Sequence, residues 1–136
     1  MYVQSKFGRN GLVMIKEGTT GRDQSSVYSN NIEMKSRNYS KFKVVFSFYS
    51  NNMEVGDRFC LEYSVNGAAT WSSTKCWARG TDFKNGTWND DVVQRFQPTV
   101  NSIKSIRLRF HGLSSENNDR VFFDKIQLFA LAELRR

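Results

Sequence analysis

Residues 59–71, FCLEYSVNGAATW, constrain the fold of this chain more than any other stretch. Phe59, Leu61, Tyr63 and Val65 recur at period two, with Cys60, Glu62 and Ser64 between them. Successive side chains of a strand point to opposite sides, so this alternation reads as a strand with one buried face. Asn66-Gly67 follows, a dipeptide favoured in tight hairpins because both residues tolerate positive φ. A returning strand is expected from Thr70 to Ala78. With the hairpin centred near Ala68, the only two cysteines, Cys60 and Cys76, fall directly opposite each other. Cross-strand neighbours hold their Cβ atoms about 4.5–5.5 Å apart, close to disulfide reach. A bridged hairpin implies an oxidising compartment. The stretch therefore points to an all-β, extracellular protein with a Cys60–Cys76 disulfide.

Length and composition agree with one β-domain. The chain has 136 residues, 14% of them aromatic, with eleven Phe and a single Pro. That is enough for one core, and its aromatic bias suits a sheet sandwich better than a helical bundle. No segment approaches the roughly 18 consecutive apolar residues of a membrane span. The first ten residues, MYVQSKFGRN, lack the apolar stretch of a signal peptide. Together with the bridged hairpin, this reads as a single domain over residues 1–136, with its core at about 12–128, excised from a larger extracellular protein.

Net charge is +7, from 20 basic and 13 acidic residues. Such an excess suits sulfated or uronic polysaccharides, anionic membrane surfaces or nucleic acid, and equally it can serve solubility alone. The basic residues are scattered, with one local cluster at 35–43. No RNA-recognition strand, zinc-finger spacing or helix-turn-helix pattern is present, and the disulfide also argues against nucleic acid as partner. Two cysteines and the lone His111 cannot make a four-ligand zinc site.

Further strands follow from the same periodicity. Leu12 to Lys16 is short and apolar, and Val27 to Met34 is a weaker strand broken at Asn30-Asn31. Phe42 to Tyr49 places Phe42, Val44, Phe46 and Phe48 on one face, against Val45, Ser47 and Tyr49. Trp88 to Phe96, Ile103 to Phe110 and Arg120 to Leu131 complete the set. In Ile103 to Phe110, Ile106, Leu108 and Phe110 oppose Arg107 and Arg109. About eight short strands at regular spacing, with no clean helical period, mean an antiparallel β-sandwich of Greek-key or jelly-roll type.

Three pieces carry a family resemblance: KFKVVFSFYSNNMEVGDRFCLEYSVNGAATW, GTDFKNGTW, and SIRLRFHGLSSENNDRVFFDKIQL. They resemble the extracellular jelly-roll modules of the MAM and concanavalin-A-like type, such as those of bacterial and algal surface proteins. The resemblance spans roughly Leu12 to Leu128 and implies a jelly-roll fold, but the fold hosts adhesion modules, glycan binders and enzyme appendages alike. It also implies a structural calcium at the sheet edge, with Asp124 as one ligand and Glu33, Glu54 or Asp57 as partners; calcium takes six to eight oxygens. YSVNGAATW further resembles an Asp-box hairpin, Ser-x-Asp-x-Gly-x-Thr-Trp. Ser64, Thr70 and Trp71 match, while Asn66 replaces the aspartate and Ala68 the glycine. An Asp-box is a structural turn and carries no activity by itself.

Catalytic signatures are weak. His111 is the only histidine, and no Gly-x-Ser-x-Gly elbow accompanies it. Asp90 and Asp91 are adjacent, and on a strand they would point to opposite faces. The acids show no glycosidase pairing in sequence. Glycan recognition instead calls for exposed rings among polar side chains, and the candidates are Trp88, Phe83, Tyr49 and Trp77, with Asn52 beside Tyr49. Arg107 and Arg109 would form a basic stripe suited to carboxylate or sulfate. For each ring a core role competes, as does a merely solvated face for the arginines. Asn38-Tyr39-Ser40 and Asn85-Gly86-Thr87 are N-glycosylation sequons in predicted turns. The expectation is a non-catalytic extracellular module binding an anionic polysaccharide. The rival is a MAM-like adhesion module that self-associates or binds another protein.

Overall fold

The computed structural model describes residues 2–7, 13–16, 26–29, 32–33, 39–100, 103–113 and 120–131. They form ten strands and no helix: β1 (Tyr2–Phe7), β2 (Val13–Lys16), β3 (Ser26–Tyr28), β4 (Ile32–Glu33), β5 (Lys41–Asn51), β6 (Arg58–Ser64), β7 (Ser72–Ala78), β8 (Asn89–Phe96), β9 (Ser105–Leu113) and β10 (Arg120–Leu131). Two antiparallel sheets result. The first runs β1-β10-β5-β8, with β2 also on β10; the second runs β3-β9-β6-β7, with β4 also on β9. The architecture is the expected jelly-roll sandwich.

The core lies between the sheets and follows the period-two pattern. Phe42, Val44, Phe46 and Phe48 from β5 are fully buried, as are Phe59 and Leu61 from β6 and Ile106, Leu108 and Phe110 from β9. Val121, Phe123, Ile126 and Leu128 complete it from β10. Aromatic rings bridge the sheets: Phe46 meets Phe110 edge-on at 4.9 Å, and Phe110 stacks on Phe123 at 4.1 Å. Phe59 meets Phe48 at 4.9 Å and Phe123 at 5.1 Å. Edge-to-face pairs of this kind add roughly 0.5–1.5 kcal/mol each beyond the area they bury.

Cys60 and Cys76 are register partners and are disulfide-bonded, with Cα atoms 4.0 Å apart. The returning strand starts at Ser72, later than Thr70, because the hairpin loop is wider than a two-residue turn. Ser64 Oγ donates to Asn66 Oδ1 at 2.8 Å and accepts from Ala68 N at 2.9 Å. Asn66 Oδ1 also accepts from Thr70 N at 3.0 Å, and its amide nitrogen donates to Thr70 Oγ1 at 2.8 Å. Asn66 thus fills the place of the Asp-box carboxylate. Ala68, standing where that motif has glycine, takes a φ of 73°.

β1 was not anticipated from sequence. It pairs along β10 from Tyr2↔Leu131 to Phe7↔Ile126. β2 pairs with the other half of β10, from Lys16↔Arg120 to Val13↔Phe123.

Candidate carbohydrate-binding face

The outer face of the first sheet is built as rows across three strands, β8, β5 and β10. The alternation that buries Phe42, Val44, Phe46 and Phe48 turns Lys43, Val45, Ser47 and Tyr49 outward. At one end Tyr49 lies between two rings. The Trp88 centroid is 5.5 Å away and the Phe122 centroid 6.2 Å, both tilted. Trp88 is 44% exposed. The next row holds Ser47, flanked by two bulges. In one, Asp91 takes a φ of 55° and its N–H reaches Ser47 Oγ at 3.3 Å. In the other, Asp124 is the register partner of Ser47 and Lys125 takes a φ of 54°. Positive φ in residues other than glycine is uncommon, and bulges re-aim side chains. The third row is Val93, Val45 and Gln127, and the fourth is Arg95, Lys43 and Phe129. Tyr49 and Lys43 are six residues apart along β5, so the rows span about 20 Å at 3.3–3.4 Å per strand residue.

The loop before β8 places Trp88, and the cause is local. Asn85 Oδ1 accepts from Ser50 Oγ at 2.9 Å and from Met53 N at 3.2 Å. Its amide nitrogen donates to Met53 O at 2.8 Å. Gly86, at φ 77°, then turns the chain and donates its N–H to Ser50 O at 3.0 Å. A Cβ at Gly86 would lie only 4.0 Å from the Tyr49 hydroxyl. The loop is pinned to the end of β5, and Trp88 leans over Tyr49. The Asn85 sequon is therefore a staple: the nitrogen a glycan would occupy is already hydrogen-bonded. Asn38 lies outside the described residues.

The other predicted binding residues are distributed elsewhere. Asn52 is exposed just past β5, at φ 62°, on the turn beyond Tyr49. Phe83 is not an exposed ring; it is 7% exposed and packs in the core against Phe48 at 5.2 Å and Phe59 at 5.8 Å. Trp77 is buried as well and stacks on Phe59 at 5.2 Å. Arg107 and Arg109 stand on the outer face of the second sheet, away from Trp88 and Tyr49. There Arg109 Nε donates to Glu62 Oε1 at 2.6 Å, and its guanidinium lies 4.4 Å over the Trp71 ring. Arg107 Nε donates to Ser29 O at 3.1 Å. The expected basic stripe is thus an internally bonded cluster. His111 joins it, with Nδ1 3.8 Å from Glu62 Oε1, beside the bridged Cys60.

The carboxylates named for calcium do not converge. Asp57 Oδ2 accepts from Glu54 N at 2.9 Å and closes the turn between β5 and β6. Asp124 Oδ1 accepts from Lys125 N at 2.8 Å within its bulge. Glu33 pairs with Ser105 at the β4 edge of the second sheet. Among the described residues, no three His, Cys, Asp or Glu side chains come together as a metal group.

Sequence reasoning missed Phe122, Phe129, Lys43 and Arg95. The signal was available for Lys43, Phe122 and Phe129, which alternate with buried apolar residues, and weaker for Arg95, whose strand turns Val92, Gln94 and Phe96 the other way.

No protein-family model and no curated protein matches this sequence. Solved structures do match in shape. TmCBM61, solved with β-1,4-galactotriose, aligns at TM-score 0.50 and 12% identity over 96% of this chain and 88% of that one. A CBM4 module aligns at 0.51 and 13% identity, over 96% and 94%. The Clostridium thermocellum endo-1,4-β-D-xylanase 10B, its CBM22-1 and GH10 modules complexed with xylohexaose, aligns at 0.56 and 13% identity, over 99% of this chain and 27% of that one. The chain shares its fold with carbohydrate-binding modules. No match to a MAM family accompanies it. Among the described residues no helix is long and apolar enough to cross a membrane.

Proposed function

We propose that the protein is a non-catalytic carbohydrate-binding module that takes an anionic polysaccharide along the outer face of the first sheet. The observation that carries this reading is the Trp88–Tyr49–Phe122 row, one ring from the loop before β8 and two from the adjacent strands β5 and β10, with Trp88 open to solvent. Sugar rings have apolar C–H faces that stack on aromatic rings, while their hydroxyls need polar partners around the stack. Asn52 at the rim and Asp91, Asp124 and Gln127 along the rows supply such groups. The net charge of +7 favours a polyanion over a neutral glycan. The disulfide supports an extracellular setting. The shape match to one module of a much longer xylanase supports a role as one part of a larger secreted or surface protein, beside an enzyme or an anchor.

The test is a panel of neutral, uronic and sulfated polysaccharides at low and physiological salt, with wild type and Trp88→Ala. Saturable binding that survives salt and falls in the variant is expected. Binding only to polyanions, abolished by salt and indifferent to Trp88, would reduce the interaction to net charge. No binding, together with self-association in sedimentation, would favour the MAM-like adhesion reading, which needs about 800 Å² buried per partner.

A further inference from the structure

The fourth row of the outer face contains an arrangement that sheets ordinarily avoid. Lys43 and Arg95 are direct register partners on β5 and β8, and both point outward. Like charges directly opposite each other destabilise a strand pair, whereas opposite charges stabilise it. A charge placed for solubility could stand anywhere, so this juxtaposition asks for a reason. No carboxylate among the described residues relieves it. The acids of this face, Asp91 and Asp124, belong to the Ser47 row, and Asp124 Oδ1 is turned to Lys125 N. Lys43 is held in place from the other side, its Nζ 4.8 Å over the Phe129 ring. Arg95 is exposed, and its guanidinium makes no hydrogen bond or ion pair to a described residue.

We propose that Lys43 and Arg95 form an anion subsite that binds a carboxylate or sulfate ester of the glycan. This rests on the reading of the face given above and places the charge recognition within it. An oxyanion between the two cations converts their repulsion into charge-assisted hydrogen bonds, with the planar Arg95 fork engaging two oxygens at once. Lys43 adds a point charge steadied by the Phe129 ring. The subsite lies about 20 Å from the aromatic row, counted along β5. It therefore reads a substituent several sugar units away from the one stacked on Trp88, and selects chains that carry both a stackable ring and a distant anion. Arg107 and Arg109 cannot do this, being bonded to Ser29 and Glu62 on the opposite face.

The first test uses inorganic sulfate. Thermal melting is compared in sodium sulfate and sodium chloride at matched ionic strength, for wild type, Lys43→Gln, Arg95→Gln and the control Arg58→Gln. Sulfate raises every Tm by exclusion from the surface. Wild type and the control are expected to show an added, saturable rise from specific binding, absent in the other two variants. An equal sulfate–chloride difference in all four proteins overturns the subsite. The second test titrates a galacturonate oligosaccharide and its carboxyl-reduced form. Wild type is expected to bind the acid form at least tenfold more tightly, and Arg95→Gln to bring that ratio to one while keeping its affinity for the reduced form. Equal affinity of wild type for both forms overturns a uronate as the ligand. Repeating the comparison with a sulfated galactan and its desulfated form then decides for or against the sulfate ester. Trp88→Ala separates the two readings. Loss of glycan binding with the sulfate response intact supports both. An intact sulfate response with no Trp88-dependent glycan binding overturns the glycan as the source of the anion.

Discussion

The two outer faces of this sandwich carry similar residue types and treat them in opposite ways. On the second sheet, Glu62, Arg109, Trp71 and His111 engage one another beside the Cys60–Cys76 bridge. An acid, a base and a ring satisfy each other there. On the first sheet, Trp88 and Tyr49 lean together with one ring still open, and Lys43 and Arg95 face each other with no acid between. The difference teaches where to look for function. A polar group already matched by its own neighbours contributes to the fold. A ring or charge presented without a complement is suited to one from outside.

The largest effect expected is on the second face. Reducing the Cys60–Cys76 bridge, which closes a loop of sequence separation 16, should lower stability by about 3 kcal/mol on the chain-entropy model. Thermal melting with and without reductant measures it. Glycan affinity, read below the new Tm, should stay unchanged; a parallel loss of affinity would break the division of labour between the faces. Next comes Trp88→Ala. It should weaken glycan binding ten- to a hundredfold, about 1.4–2.7 kcal/mol by calorimetry, while moving the Tm little because the residue is 44% exposed. Trp71→Ala is its mirror image and should lower the Tm without touching affinity.

The fold was legible wherever one strand face is buried. The inward positions of β5 and β9 follow from period two alone, and the Cys60–Cys76 pairing follows from the hairpin centre; in β10 the bulge at Lys125 shifts the parity, so that the buried set runs Val121, Phe123, then Ile126 and Leu128. What was not legible depends on contacts remote in sequence or on loops without a period. Phe83 sits in a loop, and nothing in its neighbourhood alternates. It is drawn inward because Gly80 N bonds Phe83 O at 2.9 Å and Ala78 N bonds Asp82 Oδ2 at 2.8 Å, folding the segment back beneath the core. Arg107 and Arg109 were assigned correctly to the face opposite Ile106 and Leu108. Their engagement was not visible, because Glu62 is 47 residues from Arg109. The Lys43–Arg95 pair was hidden for the same reason: β5 and β8 are neighbours in the sheet but not in the chain.

A smaller effect sharpens the contrast on the second face. In Glu62→Gln the Arg109 guanidinium loses its carboxylate but keeps an amide oxygen and the Trp71 ring. The cost should be about 1–2 kcal/mol, the difference between a charge-assisted and a neutral hydrogen bond in a partly buried site. Denaturant titration checks it. A cost near zero would mean that solvent already screens the pair and that this face is less self-contained than its geometry indicates.

The smallest effect concerns Asn66, one of the two places where this hairpin departs from the Asp-box pattern. Asn66 uses Oδ1 twice, accepting from Ser64 Oγ and Thr70 N, and uses its amide nitrogen once, donating to Thr70 Oγ1. Asn66→Asp keeps the acceptor and strengthens it with charge. It replaces the donor by a second acceptor, which the Thr70 hydroxyl can meet by turning its own proton toward the new oxygen. The site is exposed at the loop tip, so the gain and the loss are both weakened by water. The net change should lie within about 0.5 kcal/mol, as for surface substitutions generally. Comparative melting at neutral pH decides it. A loss well above that figure would show that the amide donor, and not the shared acceptor geometry, holds the loop that delivers Trp71 to Arg109. The departure from the Asp-box would then be a requirement of this face.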